Sequence, residues 1–185
     1  MNFASEGGLE TKFARFGGDL GLGEGAEITG YASLFGAVDQ GGDVVAAGAY
    51  GRSLTRLAAA GGKVKMLWQH DPAQPIGVWD DVREDGRGLF VRGRILTEVR
   101  AGQEALALLR AGAIDGLSIG YRTITAEKRT GGRLLHEVEL WEVSLVTFPM
   151  LPGARASAGT GREDPEEDLA LTLAESLRAA REMLA

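Results

Sequence analysis

The 185-residue chain contains no cysteine, only two histidines and five prolines, and aromatic residues make up only 6% of it. The absence of cysteine excludes disulfide bonds, thiolate metal sites and a cysteine nucleophile. Because His70 and His136 are the only two histidines, we do not expect a metal site with several histidine ligands. Histidine-dependent catalysis would have just these two candidates, and we expect neither a metal nor a cofactor.

Long apolar runs are also missing. No segment approaches the roughly 18 apolar residues of a membrane span, and the first residues lack the basic and then apolar order of a secretory signal. The net charge of -6, without a basic cluster, argues against nucleic-acid binding. With 44% hydrophobic and 25% charged residues the composition is typical of a soluble globular protein. We therefore expect no membrane or nucleic-acid partner and a cytoplasmic location.

Glycine is abundant, with 28 copies, and it separates short segments in which apolar and polar residues alternate. Such alternation predicts strands over residues 9–16, 27–35, 63–68, 76–83, 88–95, 117–127 and 134–148, the last divided in two near Trp141. Two helices are predicted, over 47–60 and from a Thr97 N-cap to about Arg110, with an apolar face that includes Leu108. The three tryptophans are expected in the core.

This pattern divides the chain into three parts. Residues 1–8 form a flexible N-terminus, residues 9–157 a single strand-rich domain, and residues 158–185 a linker with an acidic, amphipathic C-terminal helix. The leucines of that helix share a stripe, which would pack on its own domain or dock on a partner.

The sharpest local motif is residues 116–120 (GLSIG), which match the pattern Gly-x-Ser-x-Gly around Ser118. In an α/β-hydrolase this pattern forms a strand-to-helix elbow that presents the nucleophile, and the histidine comes last in the chain. Here the residues after Gly120 favour a strand, and only His136 follows Ser118, too soon for that order. Ser118 is thus either a nucleophile of another kind of enzyme or a small residue at a tight strand edge.

His70 ends an alternating run and precedes Asp71 and Pro72, so it is expected where a strand meets a turn. Catalytic side chains are often presented at such places. A neutral imidazole can take a proton from a serine hydroxyl at neutral pH. The alternative is a solvated turn histidine without a catalytic role.

Glu142 lies in the β-prone segment 137–146, where alternation places it on one face with Leu140, Ser144 and Val146. A carboxylate on such a face is costly to bury unless it is paired or hydrogen-bonded. Glu142 is therefore a candidate for orienting a histidine, the third role of a catalytic triad. An ordinary ion pair, for example with Arg94 or Arg122, is the alternative.

Five blocks, taken in chain order across residues 9–157, resemble the tailed-phage prohead protease family, including its gene transfer agent versions. The blocks are residues 30–35 (GYASLF) with Asp39, 42–45 and 48–50; residues 67–71 (LWQHD) with 75–77; residues 88–91 leading into the helix that ends at 110–112; residues 114–121 (IDGLSIGY); and residues 141–149 (WEVSLVTFP). One departure is residues 150–152 (MLP), where relatives tend to have smaller residues.

The resemblance implies a fold that is mainly β with some helix (α+β): a closed, mostly antiparallel barrel surrounded by helices, as in the herpesvirus assemblins. It also implies a serine endopeptidase whose catalytic residues follow the order His70, Ser118 and a third member on a later strand. Glu142 and His136 compete for that place, and Glu142 is favoured because it lies within the last block on an inward face. Donors of an oxyanion hole are sought near residues 149–155.

Partners also follow from the resemblance alone. The family implies that the major capsid protein and scaffold segments are the substrates, cut inside the assembling prohead in the bacterial host cytoplasm. It further implies self-cleavage, and relatives of this fold dimerise, so a homodimer is a further expectation. A non-catalytic capsid assembly or scaffolding protein on the same fold is the main alternative, and an esterase is disfavoured by the order of the triad.

Overall fold

The computed structural model describes residues 10–14, 21–22 and 25–148. The predicted N-terminal segment 1–8, the end of the domain from residue 149, and the predicted linker and acidic helix over 158–185 lie outside these ranges. Within them the elements follow one another in this order: β1 (Glu10–Ala14), β2 (Gly21–Leu22), β3 (Glu27–Leu34), β4 (Val44–Val45), α1 (Gly51–Ala59), β5 (Lys65–Trp68), β6 (Asp71–Glu84), β7 (Gly88–Ile95), α2 (Arg100–Arg110), β8 (Gly116–Arg129) and β9 (Gly132–Val146).

All of these strands belong to one sheet in the order β1-β8-β9-β5-β6-β7-β3-β2, with β4 paired to β9 beside this path. The sheet is mostly antiparallel, as predicted, but β4 and β5 both run parallel to β9. It curls enough for β3 to contact β8, although among the described strands no pairing joins β2 back to β1. A mainly β fold with few helices is confirmed, whereas the closed barrel and the assemblin-type fold stay predictions.

The apolar face of the curled sheet forms the core, and the two helices pack against inner strands of the sheet. Helix α1 contacts β6 and β9, and α2 contacts β6 and β7. Helix α2 buries a face with the spacing of an amphipathic helix, formed by Gly102, Ala105, Leu106 and Leu109. Leu108 was predicted on that face but is 39% exposed. The helical turn of about 100° per residue points its side chain away from the buried face that Leu109 joins.

Both helices begin later than the sequence predicts. Helix α1 starts at Gly51 rather than near residue 47, because residues 47–50 form turns before it. Helix α2 starts at Arg100, and its N-cap is Val99, which offers no side-chain oxygen to the helix. The prediction of a Thr97 N-cap is therefore wrong. The Val99 amide donates to the Leu96 carbonyl in a turn that precedes the helix.

The last strand is continuous and not broken in two. Across the β8–β9 pair Gly120 lies opposite Glu142 while Tyr121 lies opposite Leu140, so Trp141 is the extra residue of a β-bulge. The sequence located the irregularity but not its form. Trp141 is 40% exposed, contrary to its predicted place in the core, whereas Trp79 is buried and donates from Nε1 to the Val143 carbonyl.

Candidate active site

Strands β8 and β9 bring two serines and a glutamate onto one face. Ser118 pairs directly with Ser144 across the antiparallel ladder, so their side chains point to the same side of the sheet. Glu142 precedes Ser144 by two residues, and the period of a strand places it on that side as well. Ser118 and Ser144 are fully buried and Glu142 is 4% exposed.

The neighbours of Glu142 on β9, Val143 and Leu145, belong to the hydrophobic core, so the buried carboxylate lies on the opposite face of β9. The bulge at Trp141 shifts the alternation, and Glu142 therefore does not share the face of Leu140, contrary to the sequence prediction.

His70 reaches these residues from β5, which runs parallel to β9. Trp68 at the end of β5 pairs with Leu145, and the chain then turns through Gln69 and His70 before β6 begins. Both turn residues have positive φ, +52° and +63°, in the left-handed region that costs a side-chain-bearing residue about 1–2 kcal/mol. Strain of this kind persists only where surrounding contacts impose it, and it is common at functional sites.

Hydrogen bonds to the end of β9 hold this strained turn in place. The Gln69 amide donates to the Leu145 carbonyl at 2.9 Å, and Gln69 Nε2 donates to Thr147 Oγ1 at 2.7 Å. The backbone N–H of His70 donates to Ser144 Oγ at 3.2 Å. The turn is therefore fastened to the strand that carries Glu142, and the imidazole lies over the β8–β9 pair.

The imidazole of His70 bridges the other two candidate residues. Its Nε2 lies 2.6 Å from Ser118 Oγ, and its Nδ1 lies 2.5 Å from Glu142 Oε1. A carboxylate can only accept, so Nδ1 carries the proton of a neutral ring and Nε2 is left as the acceptor that faces the serine hydroxyl. The geometry selects the tautomer that is able to take a proton from Ser118.

The second carboxylate oxygen of Glu142 is also satisfied, because Ser144 Oγ donates to Oε2 at 2.5 Å. Hydrogen bonds to both oxygens offset the cost of burying this carboxylate. The arginines proposed as alternative ion-pair partners bind elsewhere. Arg94 pairs with Asp80 at 3.0 Å, and Arg122 pairs with Glu139 at 2.6 Å.

Gly120 gives the carboxylate its space. It lies opposite Glu142 in the ladder, and a Cβ atom at position 120 would overlap Oε1, Cδ and Cγ of that glutamate. Ser118 and Gly120 both lie within strand β8. The second glycine of the Gly-x-Ser-x-Gly motif therefore accommodates a buried carboxylate and is not part of a strand-to-helix elbow. The motif alone did not reveal this role.

His136, the rival for the third position, lies elsewhere on the sheet. Its neighbours Leu135 and Glu137 pair with Ala126 and Thr125, toward the β8–β9 hairpin turn and away from Ser118. Its side chain is 44% exposed and its Nε2 lies 3.4 Å from Glu127 Oε2. The structure thus brings Glu142, and not His136, into contact with His70.

Two further features of the described residues bear on the type of site. Among them, no three acidic or histidine side chains gather as ligands for a metal ion. Neither described helix has the length and apolar character needed to span a membrane. The backbone at 149–155, where oxyanion donors were sought, lies outside the described ranges.

A serine hydroxyl, an imidazole and a carboxylate joined in a row are the groups that serine peptidases use for acyl transfer. A family model described as caudovirus prohead serine protease matches residues 18–167, and the chain belongs to that family. The resemblance seen in the five sequence blocks is thereby confirmed.

Two individual proteins are similar to this chain. It is 31% identical over 140 residues to the prohead protease of Enterobacteria phage HK97, across 73% of this chain and 59% of that protein, so it spans less than two thirds of that relative's length. The structure of the bacteriophage T4 capsid assembly protease matches with a TM-score of 0.63 at 16% identity, covering 76% of this chain and 98% of that one. At that identity the second likeness concerns the fold alone.

Proposed function

We propose that this protein is a serine endopeptidase that cleaves scaffold segments and the major capsid protein during prohead maturation, with Ser118, His70 and Glu142 as its catalytic residues. One observation carries the proposal: the His70 imidazole lies within hydrogen-bonding distance of both Ser118 and Glu142. The family, together with the names of the HK97 prohead protease and the T4 capsid assembly protease, supports the substrate class.

In the proposed reaction His70 Nε2 takes the proton of Ser118 Oγ as that oxygen attacks the carbonyl carbon of a peptide bond. The resulting imidazolium keeps its Nδ1–H bond to Glu142, whose negative charge stabilises it. His70 then gives the proton to the leaving amine, and the C–N bond breaks to leave an acyl-enzyme. A water molecule, deprotonated by His70, attacks that ester and restores the Ser118 hydroxyl. An oxyanion hole completes the mechanism, and residues 149–155 are proposed to supply its donors.

The location, partners and remaining fold details belong to the same proposal. The enzyme acts inside the assembling prohead in the cytoplasm of the bacterial host, cleaves itself as well as its substrates, and forms a homodimer. Its curled sheet closes into a barrel of the herpesvirus assemblin type. The contact between β3 and β8 supports closure, because it joins parts of the sheet that lie far apart in the strand order.

Co-expression with the major capsid protein of the same phage or particle tests the proposal. We expect the wild type to shorten the capsid protein, as seen by intact mass and N-terminal sequencing, and Ser118→Ala to leave it whole. Ser53→Ala is the matched control, since Ser53 is another buried serine whose Oγ bonds β9, at the Leu140 amide, outside the site. Cleavage by Ser118→Ala would contradict the role of Ser118. If particles assemble while neither the wild type nor Ser118→Ala cleaves the capsid protein, the non-catalytic assembly role would be favoured.

A further inference from the structure

We propose that Ser144 is a positioning residue of this site, whose hydroxyl fixes the His70 imidazole and the Glu142 carboxylate relative to each other. Its Oγ accepts a hydrogen bond from the backbone N–H of His70 at 3.2 Å and donates one to Glu142 Oε2 at 2.5 Å. The hydroxyl thus touches both partners of the imidazole–carboxylate pair from within the sheet. The kinetic part of this inference rests on the proposed function, while the structural part does not.

These bonds form a closed ring that begins and ends on His70. From the His70 amide the ring runs through Ser144 Oγ to Oε2 of Glu142, and from Oε1 of the same carboxylate back to His70 Nδ1. Such a ring ties the imidazole to its own backbone. The side-chain torsions of His70 are thereby restricted, and Nε2 is held toward Ser118.

The directions of the bonds in this ring are determined by chemistry. A backbone N–H can only donate, so Ser144 must accept from His70 and has its single proton free for Glu142. The carboxylate can only accept, which leaves Nδ1 of His70 as the other donor. Of the two neutral tautomers, only the one with its proton on Nδ1 places a hydrogen between Nδ1 and Oε1, and this tautomer leaves Nε2 unprotonated. By holding Oε1 toward Nδ1, Ser144 favours the base form that Ser118 requires.

A role as a mere space-filling residue does not account for these contacts. Ser144 is fully buried, directly opposite Ser118, and an alanine would fill nearly the same volume in the strand. What the serine adds is one donor and one acceptor, and both are used on the candidate catalytic residues. Because its one donor and one acceptor are both used on His70 and Glu142, it should affect the rate of chemistry and not the binding of substrate.

The test uses the full-length chain with 15N-labelled histidine, which gives signals from only two residues, His70 and His136. In the wild type we expect a far-downfield proton resonance from the Nδ1–H of His70 in its bond to the carboxylate. Ser144→Ala should shift or broaden that resonance while leaving the exposed His136 unchanged. The control Ser53→Ala removes a serine hydroxyl that accepts a β9 amide, that of Leu140, and should leave both histidines unchanged.

The kinetic measurement is phosphonylation of Ser118 by a fluorophosphonate, in which Oγ attacks phosphorus, fluoride leaves and His70 takes the proton. We expect Ser144→Ala to lower the saturating rate about 10- to 100-fold with little change in the half-saturating probe concentration. Ser53→Ala should change neither the saturating rate nor the half-saturating concentration. An unchanged histidine resonance in Ser144→Ala, or a rate loss no larger than in Ser53→Ala, would overturn the inference. A wild type that never reacts, yet has a downfield resonance that depends on Ser144, would refute the proposed function and support the positioning role.

Discussion

Gly120 lies directly opposite Glu142 in the β8–β9 pair, and the carboxylate occupies the space that a side chain at position 120 would need. A buried charged residue and a glycine are thus two parts of one arrangement. The carboxylate can lie flat against β8 and reach His70 only because its partner position has no Cβ atom. This relationship makes the site sensitive to the smallest possible change in β8.

We expect Gly120→Ala to displace the carboxylate, because the added methyl group would overlap Oε1. Overpacking of this kind costs about 1–3 kcal/mol of stability, and the displaced carboxylate should also weaken the bond to His70. Fluorophosphonate labelling and urea unfolding measure the two effects. Gly86→Ala is the control, since nothing lies near a Cβ atom at that position. Full reactivity of Gly120→Ala would show that the carboxylate does not need its present position.

Glu142→Gln should slow turnover by about 10⁴-fold, because an amide NH2 group facing Nδ1 can donate a hydrogen bond to it and so favours the tautomer whose proton is on Nε2. The nearly equal size of the two side chains should preserve the fold. His136→Ala should be mild, because that histidine is exposed and bonds only Glu127 among the described contacts of its ring. The rates at which the two variants cleave the capsid protein are measured and compared. The opposite ranking would transfer the third catalytic role to His136.

The positive φ of Gln69 predicts a preference for glycine at this position in the turn before His70. Gln69→Val should be less stable than Gln69→Gly by about 1 kcal/mol, since a β-branched side chain tolerates the left-handed region poorly. Both variants lose the bond from Gln69 Nε2 to Thr147 Oγ1, so their difference isolates the backbone conformation. Urea unfolding measures it. Equal stabilities would mean that the turn adapts to the new residue.

The Tyr31 hydroxyl donates to Asp85 Oδ2 at 2.6 Å, and this bond lowers the pKa of Asp85 below its ordinary value, helped by backbone N–H groups of Arg87 and Gly88. A lowered folded-state pKa contributes stability above the unfolded pKa of about 3.9, and this contribution is lost as the pH falls through the folded value. Tyr31→Phe should therefore destabilise the protein at pH 7 and progressively less below about pH 3.9.

Thermal unfolding of Tyr31→Phe and the wild type across this pH range checks that expectation. The phenylalanine keeps the ring for its edge contact with Phe90 and for the guanidinium of Arg87 above it. Only the hydroxyl is lost. A stability difference that is the same at pH 7 and pH 3 would show that the ionisation of Asp85 is not involved.

Much of the strand arrangement follows from the sequence by itself. Alternation over residues 88–95 gave β7 with its observed ends, and the same signal located β3, β8 and β9 to within a few residues. The order of the five blocks identified the family. The strand signals are local: each depends on side chains that lie one or two residues apart on the same strand.

What surrounds the candidate residues was decided by tertiary structure. The sequence left Glu142 with a choice among His70, Arg94 and Arg122, and it assigned no role to Ser144 or Gly120. Those choices depend on β5 running parallel to β9 and on Ser118 pairing with Ser144. The register of the β8–β9 hairpin depends on its turn and on its bulges, and the β5–β9 pairing joins strands that are distant in the chain, so alternation alone predicts neither. The sequence therefore determined which side chains could do chemistry, and the sheet decided which of them meet.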